Sequence, residues 1–70
     1  MTPANPKVVG ERLRKLRGCR TGTGVAKELG ISYSAWTKYE YGVRTPNAKA
    51  KKLIAEYFGV SEESIFFDPE

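Results

Sequence analysis

Histidine is absent from this chain and cysteine occurs once, as Cys19. That removes zinc sites built from Cys and His, Ser-His-Asp and Cys-His nucleophile systems, and any disulfide within the chain. No apolar run approaches the roughly 18 residues of a membrane span, and the opening Met-Thr-Pro-Ala-Asn-Pro lacks the hydrophobic segment of a signal peptide. A reducing, cytoplasmic setting is expected. Low-complexity runs, linkers and internal repeats are missing, and no segment reads as a strand. Acids are scarce over most of the length. All twelve Lys and Arg lie within residues 1–58, against only Glu11, Glu28, Glu40 and Glu56, whereas Glu62, Glu63, Asp68 and Glu70 crowd the end.

What is present is globular: 40% apolar residues, 29% charged ones, and aromatics spread along the second half. Seventy residues suffice for one small domain. A chain of this size buries only about 60% of the surface it exposes when unfolded, which leaves little room for a deep catalytic pocket. With no acid-base pair, metal set or phosphate-binding glycine loop in view, an enzyme is not expected, and neither is a cofactor. The positive excess of the body attracts polyanions and raises encounter rate and affinity for nucleic acid.

Periodicity and punctuation predict five helices. Pro6 fits a first helical turn, and Val9, Leu13 and Leu16 follow at helical spacing, which gives a helix over 6–17 with Arg12, Arg14, Lys15 and Arg17 on its other sides. Gly18 breaks it. Thr21 can cap a second helix that turns Val25, Ala26 and Leu29 inward, although Gly22 and Gly24 weaken its start and suggest order from about Thr23. Gly30 suits the left-handed position after a helix, Ile31 drops inward, and Ser32 caps a third helix from Tyr33 to Tyr41. Beyond Gly42 and a loop at Val43-Arg44-Thr45-Pro46, Asn47 caps a fourth helix. Its inward face is Ala50, Leu53, Ile54 and Tyr57, with Lys49, Lys51 and Lys52 outside. Gly59 ends it, and Ser61 opens a short fifth helix anchored by Ile65, Phe66 and Phe67, with Glu62 and Glu63 in its first turn. Residues 1–5 and 68–70 are expected to be flexible ends around a domain at 6–67. Trp36 reads as core, and Cys19 as a buried structural thiol, since no base stands near to activate it.

At about 100° per residue the third helix divides into two surfaces. Ala35, Trp36 and Tyr39 fall on one side, and Tyr33, Ser34, Thr37, Lys38 and Tyr41 on the other. Hydroxyls, an ammonium and aromatic edges on a helix of this width suit the major groove of B-DNA.

The segments VGERLRKLRG, VAKELGISYSAWTKYEYGVRTP and AKKLIAEYFGVSEESIFF, taken in order, resemble the lambda-repressor/Cro type helix-turn-helix family, also called the xenobiotic-response-element family. The likeness runs over about residues 9–67 and is nearest to small regulators of Gram-positive phages and mobile elements. It implies an all-α, compact five-helix lambda-repressor-like DNA-binding domain with its helix-turn-helix at helices 2 and 3. Tyr33, Ser34 and Lys38 stand where the family meets base edges, with Thr37 beside them. Thr21, Gly22 and Thr23 match the part that meets a phosphate through helix-end amides, and Arg44 corresponds to a backbone or minor-groove contact. Arg17 resembles the arginine that pairs with the acid at Glu40. The chain departs from the family in opening helix 2 with Gly22-Thr23-Gly24 in place of a glutamine followed by acids, and in carrying the large Tyr33.

The resemblance implies a sequence-specific transcriptional regulator, a repressor or Cro-like protein, associated with the nucleoid. Its partner would be a double-stranded DNA operator, bound by a homodimer. The alternative is a phage antirepressor-like modulator that keeps the fold but binds a partner repressor protein.

Overall fold

Side-chain caps set where the helices begin. Thr21 Oγ1 accepts from the Gly24 amide at 3.0 Å, Ser32 Oγ from Ala35 at 3.0 Å, Asn47 Oδ1 from Ala50 at 2.8 Å and Ser61 Oγ from Ser64 at 3.2 Å. Each such cap satisfies a donor that the helix cannot, a contribution of about 1 kcal/mol. In the computed structural model, which describes residues 1–69, these caps open α2 (Gly22–Leu29), α3 (Tyr33–Glu40), α4 (Ala48–Phe58) and α5 (Glu62–Phe66). The first helix, α1 (Pro6–Arg17), starts with proline at a position where no amide is needed, behind an Asn5 cap. Gly30 and Gly59, at φ of 75° and 69°, end α2 and α4 in the left-handed region. Among the described residues no helix is long and apolar enough to cross a membrane.

One core joins all five helices: Val9 and Leu13 of α1, Val25 and Ala26 of α2, Trp36 and Tyr39 of α3, Ile54 of α4, and Ile65 and Phe66 of α5. The helix α3 lies across α1 and α2, so its back is enclosed.

The structure corrects several expectations. The segment α2 begins at Gly22, not near Thr23, because the Thr21 cap holds the first turn despite its two glycines. A strand pair exists: β1 (Thr2–Pro3) runs antiparallel to β2 (Phe67–Asp68), with Thr2 opposite Asp68. The ends thought flexible are therefore engaged. Ala4 is buried, its amide donates to the Phe66 carbonyl at 2.9 Å, and Arg12 grips the same turn through the carbonyls of Ile65 and Phe67 and the Asp68 carboxylate at 2.6 Å. Glu70, the last residue of the tail, lies outside the described residues.

Cys19 is exposed, not buried, because it follows Gly18 in the turn leading away from α1. Leu53 is also exposed, and Lys51 instead lies half-buried with its ammonium 5.6 Å from the Phe66 ring centre and 5.4 Å from that of Phe67. The packed face of α4 is centred on Ile54, Ala55 and Phe58, which carries Lys51 inward and rolls Leu53 to the rim.

Candidate nucleic-acid interface

The turn between α2 and α3 is fixed by main-chain bonds. The Gly30 amide reaches the Lys27 carbonyl at 3.2 Å and the Ile31 amide reaches Ala26 at 3.0 Å, while the Ile31 side chain packs against the core. From this turn α3 leaves with its two surfaces sharply unlike. Trp36 is 0% exposed and Tyr39 7%, whereas Tyr33 is 56% exposed and Ser34 and Lys38 are also exposed. A rigid aromatic back thus holds a phenol, a hydroxyl and an ammonium toward solvent. The loop beyond is tied to the same helix, since the amides of Val43 and Arg44 both reach the Lys38 carbonyl, at 3.0 and 3.3 Å. That brings exposed Arg44 close to the end of the α3 surface.

Thr37 sits differently from its neighbours. It is half-buried, and its hydroxyl donates to the Tyr33 carbonyl at 2.8 Å, so outward it offers lone pairs and a methyl group. Thr37 also turns toward a hollow of about 130 Å³ bounded by Arg17, Gly22, Tyr33, Trp36, Glu40 and Tyr41. Of the expected phosphate set, the Thr21 hydroxyl is spent on the Gly24 amide. Gly22 and Thr23 hold the first two helical positions, whose amides have no acceptor within α2. Thr23 is exposed, and Gly22 is half-buried and lines the hollow.

Behind this surface Arg17 and Glu40 form a two-pronged ion pair, with Nε to Oε2 at 2.7 Å and Nη2 to Oε1 at 3.2 Å. The Glu40 side chain is 9% exposed and that of Arg17 25%. A third Arg17 nitrogen donates to the Arg20 carbonyl at 2.8 Å, so one guanidinium joins the end of α1, the following turn and the last turn of α3. Sequence reasoning passed over Arg14, which donates to the Glu40 carbonyl at 2.5 Å and satisfies the helix end from the other side. Its signal was present only as one basic residue among four on α1. At the far edge of α2, the Tyr57 hydroxyl donates to Glu28, and the Arg20 guanidinium stands 5.4 Å from the Tyr57 ring centre. The bond to the Glu28 carboxylate holds the Tyr57 phenol above its ordinary pKa.

Comparison with known proteins fits this geometry. The solution structure of the SOS-response transcriptional repressor LexA from Eubacterium rectale superposes with a TM-score of 0.84 at 19% identity, covering 94% of this chain and 72% of that one. At that identity the likeness is one of fold. No curated protein matches the chain. Residues 8–65, which run from α1 through α5, match the helix-turn-helix domain family, and the chain belongs to that family.

Proposed function

We propose that this protein is a sequence-specific DNA-binding transcriptional regulator that lays α3 in the major groove. The observation that carries the reading is the division of α3 into a locked aromatic back and an exposed face of Tyr33, Ser34 and Lys38. A lysine donates to guanine O6 or N7, a serine hydroxyl serves either as donor or acceptor, and a tyrosine edge meets a thymine methyl. Arg44 adds a backbone or minor-groove contact, and the amides of Gly22 and Thr23 add a phosphate contact beside Thr21. The family and the positive body support the same reading.

Two copies on one duplex would place two such helices in successive turns of the groove, about 34–36 Å apart, and would favour a pseudo-palindromic operator. The sequence resemblance points to a repressor or Cro-like regulator of the phage or mobile-element kind, working in the cytoplasm at the nucleoid.

Selection of bound sites from random duplexes, followed by gel retardation across a salt series, tests this directly. Enrichment of a two-fold related site is expected. A pull-down returning a repressor, with no retardation of any duplex at low salt, would transfer the protein to the antirepressor-like class.

A further inference from the structure

Trp36 is fully enclosed, and its indole Nε1 is the one buried side-chain nitrogen or oxygen among the described residues without a hydrogen-bond partner. A buried donor left unmade costs about 1–3 kcal/mol, so its position calls for a physical reason. The indole edge faces the start of α2. A Cβ placed on Gly22 would lie 3.3 Å from Trp36 Cδ1 and 3.6 Å from Nε1, and 3.1 Å from Cε1 of Tyr33. Gly22 and Trp36 both line the 130 Å³ hollow, with the Arg17–Glu40 pair on its wall, and Gly22 is the first residue of α2, whose amide has no acceptor within the helix. The unpartnered indole N–H and the amide end of α2 therefore meet along one wall of the hollow, where the lack of a side chain at residue 22 lets Tyr33 and the indole edge come close to the α2 main chain.

We infer that Trp36 is a phosphate-binding residue of the interface: its indole N–H, with the first amides of α2, takes an oxyanion of the DNA backbone in the hollow at Gly22. This rests on the DNA-binding reading above and adds to it a donor drawn from the core of the recognition helix. Tyr33 covers the gap in the unbound protein. Its ring lies against Gly22 while 56% of its surface remains exposed, so turning outward to a base uncovers the indole edge. Engagement of a base by Tyr33 and of a phosphate by Trp36 are in this way coupled. The neutral, directional indole donor supplies register without adding charge, since phosphate contacts position a protein and carry no sequence information.

The test uses the full chain, in which Trp36 is the single tryptophan, so its indole N–H gives one unambiguous proton resonance. Titration with a short duplex should move that resonance downfield and slow its exchange with water. Inorganic phosphate at matched ionic strength, added alone, should leave it in place. Replacing Trp36 by β-(3-benzothienyl)alanine keeps the shape and removes the N–H, and should weaken selected and random duplexes alike by roughly tenfold. Gly22→Ala, whose Cβ would press on the Tyr33 ring and the indole edge at 3.1–3.6 Å, should also weaken binding, and its unfolding midpoint, measured alongside, separates that loss from a loss of packing.

An indole resonance that stays fixed while the amides of α3 shift on adding duplex would overturn the role of Trp36 and leave the DNA reading intact. Movement with inorganic phosphate alone would overturn the assignment to the DNA backbone. If the parent chain retards no duplex at low salt, both readings fail together.

Discussion

Gly10 of α1 meets the main chain of Glu40 so closely that a Cβ there would stand 2.1 Å from the Glu40 carbonyl oxygen and 2.8 Å from its carbon. Two helices cross here backbone to backbone, and the crossing sets the depth at which α3 is seated.

Gly10→Ala should therefore be among the most damaging single methyl additions in the chain. Overpacking of a filled core costs about 1–3 kcal/mol, and rigid main chain on both sides places this site at or above the upper end. Urea denaturation should show loss of most of the stability of so small a domain. A midpoint within experimental error of the parent would mean that α1 and α3 slide apart freely.

The Arg17–Glu40 pair offers a second test. Removing Arg17 leaves the Glu40 carboxylate enclosed and unmatched, so Arg17→Met should cost about 3 kcal/mol, near the lower end for a pair whose arginine is partly exposed. Adding Glu40→Met in the same chain should recover part of that loss. Strict additivity in the double-mutant cycle would show that the two side chains do not depend on each other.

For the interface, Lys38→Ala should lower affinity for the selected site by about 1–3 kcal/mol and relax preference at one base pair. Arg44→Ala should weaken selected and random duplexes equally and flatten the dependence of affinity on salt. Equal losses from both substitutions on both kinds of DNA would show that α3 reads no bases.

The Tyr57–Glu28 bond predicts a response to alkali. The phenol pKa is raised by folding, so the bond contributes fully below the ordinary tyrosine value and is lost as pH climbs through the raised one. In an absorbance titration, Tyr57→Phe should remove a late-titrating phenol and blunt the decline in stability at high pH. An unchanged decline would place its origin elsewhere.

Arg17, Glu40, Lys38 and Arg44 were legible in the sequence, whereas the Gly10 crossing and the Tyr57–Glu28 bond were not. Thr21, Ser32, Asn47 and Ser61 marked the helix starts because an N-cap is a local event, settled within three residues. Gly30 and Gly59 marked the ends for the same reason. The split of α3 was legible because a large aromatic at Trp36 has few places to go. Contacts between distant segments were harder to foresee. Nothing in the first five residues signals pairing with Phe67–Asp68, and Arg12 looks like any surface arginine until the chain end is beside it.

Errors of rotation arose where the apolar arc was broad. Leu53 and Ala50 pulled the expected centre of α4 one way, while Phe58 and Lys51, whose ammonium lies over the rings of Phe66 and Phe67, pull the real one the other. In the interface, Gly22 was legible only as a helix-end amide and as a weak start to α2. Its close approach to the indole needed Trp36 beside it, fourteen positions away along the chain.

The pairing of Thr2 with Asp68 lays the segment before α1 directly beside the segment after α5. A short engineered linker should be enough to join these two paired segments, while a new start cut into the exposed stretch after Gly42 would leave every helix whole. Such a rewired molecule should retain its architecture, and simple cyclisation should raise its melting temperature by narrowing the conformations open to the denatured chain.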